Sequence, residues 1–199
     1  MTIELLSALV AFAFVTVITP GPNNLMLMAS GTNFGFRRTI PHMLGVGLGF
    51  PMMLVCVGLG VMQLFDLWPL AYLVLKVVSV LYLLWLAWKI ANAAPPSDAR
   101  VEGRPLTFVQ AAAFQWVNPK AWSMALSAVT LYAAGRDFAA VLLVAGVYVA
   151  CGVISTTTWT MLGQQIRRVL RGPGRLRVFN RVMAGLLVAT LVPVLWPAG

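Results

Sequence analysis

Two proline-containing motifs, each inside a long apolar run, contain the polar residues best placed to do chemistry. The first reads Thr19-Pro20-Gly21-Pro22-Asn23-Asn24 and the second reads Asn118-Pro119-Lys120. Proline lacks a backbone N–H and clashes with the preceding turn, so each motif predicts an interrupted helix. Inside a membrane, the backbone groups freed there must be satisfied by protein, water or a substrate. We therefore predict a substrate-binding site lined by Pro20, Gly21, Pro22, Asn23, Asn24, Asn118, Pro119 and Lys120; the alternative is a pair of ordinary proline kinks.

Two lysines lie near the centres of apolar runs, Lys76 in the third and Lys120 in the fourth. If these runs span a membrane, a lysine at the centre of one costs at least about 2.5–3.5 kcal/mol on insertion. The carboxylates that could pair with them lie at run ends or in loops: Glu4, Asp66, Asp98, Glu102 and Asp137. Each lysine could be neutral, could donate to carbonyls freed at a helix break, or could pair with a substrate carboxylate. We add Lys76 to the predicted site, and we expect carbonyls and substrate together to satisfy Lys120.

The composition indicates a membrane protein with many spans. Of 199 residues, 60% are apolar and only 10% are charged, against about 25% in soluble domains. The mean hydropathy is +0.88. These values exclude a disordered chain and an ordinary soluble enzyme. A net charge of +9 would favour nucleic-acid binding in a soluble protein, but here the charges fall between apolar runs, so we expect no nucleic-acid partner.

The sequence contains few residues that could form a metal site or the active site of a nucleophilic enzyme. Cys56 and Cys151 lie in separate apolar runs without metal-ligand spacing, and His42 is the single histidine. We therefore predict a protein that is not an enzyme and that uses no metal or other cofactor.

The apolar runs predict an all-α fold of six transmembrane helices. Each run is long enough to span a bilayer, which takes about 20 residues. Pro20 and Pro119 lie half a chain apart, so the first helix of each three-helix half is interrupted at the same place. Because each half has an odd number of spans, the second half enters the membrane from the opposite side to the first. This is the arrangement of transporters built from inverted repeats. The predicted helices are 5–31, 42–62, 67–88, 108–132, 138–161 and 180–197; the repeats are 1–90 and 108–199, joined by a linker at 91–107.

The basic residues alternate between the two sides of the predicted bundle. Loops 32–41, 89–107 and 162–182 contain two, three and six of them, whereas the opposite side has only Arg136. The positive-inside rule places these three loops in the cytoplasm and both termini in the periplasm. The arginine-rich loop 162–182 could also contact anionic lipid headgroups.

The sequence resembles the LysE/RhtB family of bacterial amino-acid exporters. The resemblance is carried by Thr19-Pro20-Gly21-Pro22-Asn23, by Asn118-Pro119-Lys120, and by a third-span segment from Leu75 to Leu83 followed by Trp88-Lys89. It covers essentially the whole chain, with one departure at Ser79-Val80, where the family usually has Gly-Ala. It implies export of amino acids or close derivatives across the inner membrane, driven by the proton-motive force. It also implies that both motifs line helix breaks and that Lys76 matches a basic position.

Two points of function stay open at the level of sequence. Without a carboxylate inside the bundle, we expect neutral amino acids to be preferred over lysine or arginine. Lys76, Lys120, His42 or the substrate itself could transfer the proton, and the chain could also self-associate. The alternatives are a thiol-disulfide electron carrier using Cys56 and Cys151, and a channel or non-transporting scaffold.

Overall fold

The computed structural model describes residues 2–61, 68–93, 103–133, 137–170 and 173–195. Their regular structure is entirely helical, as predicted. Most of the predicted linker, 94–102, lies outside the described residues. The helices are α1 (Ile3–Ile18), α2 (Pro22–Phe34), α3 (Phe36–Cys56, continuing as a π-helical turn over Val57–Val61), α4 (Pro69–Ala91), α5 (Phe108–Phe114, followed by a 3₁₀ turn over Gln115–Val117), α6 (Pro119–Tyr132), α7 (Phe138–Val169), α8 (Pro173–Ala189) and the single turn α9 (Val192–Leu195).

Only part of the six-span prediction is matched by helices long and apolar enough to cross a membrane. Among the described residues, three helical stretches qualify: Phe36–Val61, Leu73–Ala91 and Phe138–Val169. The pair α1 and α2 qualifies as a fourth if its bent halves count as one span. The predicted fourth span is divided between α5 and α6, and α8 has 17 residues. Six spans in two inverted repeats therefore stay a prediction.

Two predicted loops are largely helical. The stretch 32–41 is interrupted only at Gly35, whose positive φ of 80° lets α2 and α3 meet without further linking residues. In the stretch 162–182, α7 continues to Val169 and α8 begins at Pro173. Arg167 and Arg168 lie in the last turn of α7, where cations interact favourably with the helix dipole. Charge predicts that these stretches lie outside the membrane, but it does not make them irregular.

The two halves of the chain pack into shared cores. Helix α7 packs against α1, α2 and α3, while α3 also packs against α5, and α4 packs against α8. One buried core combines residues of both halves, including Leu9, Met53 and Tyr148. A second does the same with residues that include Met26, Leu83, Phe114, Met183 and Leu187. Neither half therefore has a core of its own.

Two glycines bring α2 and α7 into backbone contact. A Cβ at Gly31 would collide with the carbonyl oxygen of Thr160, and one at Gly163 would collide with that of Met28. The Thr32 hydroxyl also donates to the Gly163 carbonyl at 2.8 Å. Small residues permit this close packing of helices in membranes, so α7 is fixed against the helix that follows the first break.

The outside of the bundle is apolar. On α4, a face containing Leu73, Val74, Val77, Val78 and Leu81 is about half exposed. Such a surface suits lipid chains, so the exposed residues agree with a membrane location.

Candidate functional site

The first helix break lies where the sequence predicts it. Helix α1 ends at Ile18, Thr19 has extended dihedral angles (φ −61°, ψ 143°), and α2 begins at Pro22. Proline suits the first position of a helix because its missing N–H would be unpaired there anyway. The axes of α1 and α2 are bent by 55° at this break.

Side chains satisfy the carbonyls freed at the end of α1. The Asn24 amide donates to the carbonyl oxygens of Val17 at 2.7 Å and Thr19 at 2.8 Å. The Ser155 hydroxyl donates to Val17 O at 2.7 Å. Since Asn24 and Ser155 are both buried, these bonds replace the water that the interior lacks. Asn24 therefore stabilises the break by binding the freed carbonyls, and Ser155 of α7 stabilises it in the same way.

The second break has a similar construction. Helix α5 ends in the 3₁₀ turn, Asn118 is extended (φ −95°, ψ 108°), and α6 begins at Pro119. The Asn118 side-chain oxygen accepts the backbone N–H of Lys120 at 3.2 Å, which caps α6. Asn118 is almost completely buried. Both motifs thus end one helix and start the next at a proline, but the second break is a single residue with a side-chain cap, whereas α2 has none.

A reciprocal amide pair joins the two breaks. Asn23 Nδ2 donates to Gln115 Oε1 at 2.8 Å, and Gln115 Nε2 donates back to Asn23 Oδ1 at 3.1 Å. Gln115 Nε2 also donates to the carbonyl of Ala111 at 2.8 Å. Sequence reasoning missed Gln115. The available signal was its polarity within the apolar stretch 111–117.

Lys120 forms the second link between the breaks. Its ammonium group donates to the Thr19 carbonyl oxygen at 2.8 Å and to the Thr19 hydroxyl at 2.9 Å. The sequence allowed Lys120 to be neutral, to donate to a freed carbonyl or to pair with a substrate carboxylate. The structure shows donation to a freed carbonyl. That carbonyl belongs to the other break, 101 residues away. An ammonium has three donors, so one stays without a partner among the described residues.

The linked breaks line a small, partly open cavity, here called the central cavity, of about 50 Å³. That volume holds a few water molecules, at roughly 10–15 Å³ each. Five predicted site residues line it: Gly21, Asn23, Asn24, Asn118 and Lys120. Pro20, Pro22 and Pro119 shape the breaks without lining the cavity. The other lining residues are Thr16, Val17, Val46, Gly47, Phe50, Pro51, Ala121, Met124, Tyr148, Gly152, Ser155 and Thr156.

The polar wall of the central cavity combines the Lys120 ammonium with the start of α2. Helix α2 begins beside it without a side-chain cap, and the first N–H groups of a helix have no partner within the helix. The helix dipole adds partial positive charge at that end. Together with Lys120, this wall suits a carboxylate, and no Asp or Glu of the described residues lines it.

Lys76 is not brought to this site. It is partly buried on α4, it does not line the central cavity, and its side chain donates to none of the described residues. Its part in substrate binding stays a prediction.

Tyr148 is a lining residue that sequence reasoning did not find. Its hydroxyl lies 3.3 Å from the Thr16 hydroxyl, and its ring packs edge-on against Phe50 with centroids 5.1 Å apart. It lies in the middle of α7, an apolar run in which one tyrosine carries no local signal.

The thiols and the metal-ligating side chains form no site in the described part of the chain. Cys56 is half-buried, Cys151 is buried, and both thiols are free. No group of three His, Cys, Asp or Glu residues that could hold a metal ion occurs among the described residues.

Comparison with known proteins gives a family match over most of the chain. The model for the LysE type translocator matches residues 14–193. The chain is 34% identical over 200 residues to the cysteine/O-acetylserine efflux proteins of Escherichia coli (strain K12) and Shigella sonnei (strain Ss046). It is 33% identical to that of Escherichia coli O139:H28 (strain E24377A / ETEC). Each comparison covers 98% of this chain and 100% of the relative. No solved structure matches.

Proposed function

We infer that the chain, which belongs to the LysE type translocator family, is a membrane transporter and not an enzyme. We propose that it exports neutral amino acids across the bacterial inner membrane in exchange for protons. The observation that carries this proposal is the junction of the two helix breaks through Lys120 and Thr19. In transporters with paired broken helices, the substrate binds between the repeats at such a place. The family assignment favours this function over an electron carrier, a channel or a scaffold.

The proposed binding mode starts from Lys120. A substrate carboxylate takes the free ammonium donor of Lys120 and then replaces the Thr19 carbonyl as its partner. The first N–H groups of α2, next to Asn23 and Asn24, supply further donors. The Thr19 carbonyl that is released becomes available to the substrate ammonium. The substrate carboxylate thus binds N–H groups freed at a break, and the substrate ammonium binds a carbonyl freed there.

Binding in this mode requires movement. The central cavity is about 50 Å³, which holds a few waters but not an amino acid. The cavity must therefore widen, and a change in the angle between α1 and α2 at the break is one movement that would widen it. This supports a mechanism in which substrate binding and the change of conformation are one event.

The preference for neutral substrates follows from charge. Lys120 repels a second cation, and among the described residues no carboxylate lines the cavity to attract one. The relatives named above are cysteine/O-acetylserine efflux proteins, and both named compounds are amino acids with uncharged side chains. We propose the same substrate class here.

We expect cells that express the protein to export cysteine and O-acetylserine at least ten-fold faster than lysine and arginine. The measurement is efflux of radiolabelled amino acids from preloaded cells, normalised to the amount of protein in the membrane. Cells with an empty vector supply the control. Preferential export of lysine or arginine would contradict the charge argument.

The proposed orientation rests on one end of the bundle being basic. Here that end, called the basic end, is defined by Arg37, Arg38, Lys89, Arg104, Arg167 and Arg168. Arg38 donates to the Gly103 carbonyl at 3.3 Å, which ties α3 to the segment before α5. The positive-inside rule places the basic end in the cytoplasm and both termini in the periplasm.

Reporter fusions test this orientation. Alkaline phosphatase, which is active only in the periplasm, should be active when fused at the C-terminus and inactive when inserted between α7 and α8. Green fluorescent protein, which fluoresces in the cytoplasm, should give the opposite pattern at the same two places. Reversed signals at both places would show that the basic end faces the periplasm.

A further inference from the structure

His42 is the single histidine of the chain and lies on α3, one turn after Arg38. Its side chain is 2% exposed. Both ring nitrogens are buried, and neither has a hydrogen-bond partner among the described residues. A neutral imidazole carries one donor and one acceptor. Two unpaired ring nitrogens in a buried side chain require an explanation, because buried polar groups are normally satisfied.

A second cavity, here called the basic-end cavity, adjoins His42. Its volume is about 510 Å³, and its polar lining consists of Ser30, Asn33, His42, Lys89, Asn92 and Arg104. Ser30 is already paired with Thr39 at 2.9 Å, and Asn33 with Asn180 at 2.9 Å. Ser30 and Asn33 are therefore committed elsewhere, and although the cavity reaches the His42 side chain, both ring nitrogens are shielded from water in this conformation.

The charged groups around His42 are cationic. Lys89 of α4 and Arg104 of the segment before α5 line the same cavity, and Arg38 precedes His42 on its own helix. Helices α2 and α5, which pack against α3, carry no charged residue. The titratable side chains on the other two helices packed against α3 are Lys120, Tyr132, Tyr148, Cys151, Arg167 and Arg168. No carboxylate of the described residues lines the basic-end cavity.

A proton on His42 in this conformation would place a buried charge without a partner beside two cations, which is costly. Protonation therefore favours any conformation in which α3 moves and exposes the ring. Helix α3 also forms part of the central cavity through Val46, Gly47 and Phe50. A movement of α3 that widens the central cavity therefore also changes the surroundings of His42.

We propose that His42 carries the proton that is exchanged for the amino acid; this rests on the proposed export function. In the conformation described here the imidazole is neutral. In the alternative conformation a lone pair of one ring nitrogen accepts a proton from the periplasmic side, which gives an imidazolium. During the return, before the ring nitrogens are buried again, the imidazolium loses that proton to water in the basic-end cavity, because burial and the neighbouring cations disfavour the charge.

The first test uses the fact that the chain has one histidine. The protein is labelled with ¹⁵N-histidine, purified through a tag without histidines, and observed by NMR in detergent between pH 5 and 8 with and without cysteine. We expect the imidazole to titrate within this range and its midpoint to move by at least half a pH unit when cysteine is added. A ring that stays neutral throughout, or a curve unchanged by cysteine, would overturn the proposal.

The second test uses proteoliposomes and the variant His42→Gln, which keeps a polar side chain of similar size but cannot take up a proton. We expect His42→Gln to keep cysteine counterflow, which needs no net proton movement. We also expect it to lose the acceleration that a pH gradient gives the wild type. Asn92→Ala, which alters the same cavity, should keep both activities.

The outcomes separate this proposal from the proposed function. A wild type without cysteine counterflow would contradict the function itself, and a wild type without acceleration by the pH gradient would contradict its proton coupling. Full acceleration in His42→Gln would overturn the role of His42 alone. If His42→Gln loses both activities, the NMR titration of the wild type decides.

Discussion

Replacing Lys120 by methionine is expected to lower export by a factor of about 10–100 while leaving membrane insertion intact. The variant removes the ammonium that joins the breaks and, in the proposed function, binds the substrate carboxylate. A hydrogen bond to a charged group contributes about 1.5–3 kcal/mol, and each 1.4 kcal/mol corresponds to about ten-fold in affinity. Insertion should be at least as efficient as in the wild type, because the cost of a lysine at this depth disappears. Efflux of radiolabelled amino acid, normalised to protein in the membrane, measures the effect.

Two further variants serve as comparisons. Lys120→Arg keeps the charge but places a broad guanidinium where Gly21 approaches the lysine closely; a Cβ at Gly21 would lie 2.7 Å from Lys120 Cδ. We therefore expect poor export from Lys120→Arg as well. Lys76→Met should have the weaker effect, because Lys76 does not line the central cavity. Normal export by Lys120→Met would remove this lysine from the mechanism.

The second large effect is expected from Gly163→Ala. A methyl group at this position would collide with the Met28 carbonyl oxygen, so α2 and α7 would have to separate. It would also disturb the bond from the Thr32 hydroxyl to the Gly163 carbonyl. Overpacking typically costs about 1–3 kcal/mol, and more where backbone atoms must move. We expect a lower unfolding temperature in detergent and less folded protein in the membrane.

Gly146→Ala is the matched control, because Gly146 lies on the same helix and has no neighbouring atom within 4 Å of an added Cβ. Both substitutions give the same gain in helix propensity, about 1 kcal/mol. Gly146→Ala should therefore unfold at or above the wild-type temperature. Equal unfolding temperatures for Gly163→Ala and Gly146→Ala would show that the contact between α2 and α7 is looser than described.

The helix breaks could be predicted from sequence because their causes are local. Pro20, Pro22 and Pro119 each remove a backbone donor, but proline alone does not decide the outcome, since Pro41 and Pro51 lie inside α3. The asparagines beside them are suited to capping, and Asn118 does cap α6. The expectation that Lys120 would find a freed carbonyl also rested on local reasoning, and such a carbonyl is its partner.

The partners across the breaks could not be predicted, because they depend on tertiary packing. Nothing in the sequence pairs Asn23 with Gln115, which lies 92 residues away. The carbonyl that Lys120 reaches belongs to Thr19 rather than to its own break, and Ser155 bonds Val17 of another helix. Each of these contacts needs the packing of the two halves against one another.

The helix boundaries were predicted less well for a related reason. Charged residues at Arg37 and Arg167 indicated loops, but charge reports the distance from the membrane and not the backbone conformation. A helix can continue beyond a membrane surface, because its backbone groups are satisfied within the helix. The sequence predicts a loop over 32–41, but Gly35 with its positive φ connects α2 to α3 as a single residue.

The most direct test of the substrate site compares binding of cysteine with binding of cysteamine, which lacks only the carboxylate, to purified wild type and Lys120→Met. Isothermal titration calorimetry in detergent measures all four affinities. If Lys120 binds the carboxylate, the wild type should bind cysteine at least ten-fold more tightly than cysteamine, and Lys120→Met should lose most of this preference, because only the N–H groups of α2 remain to bind the carboxylate. An undiminished preference of Lys120→Met for cysteine would show that the carboxylate binds elsewhere and would contradict the proposed site.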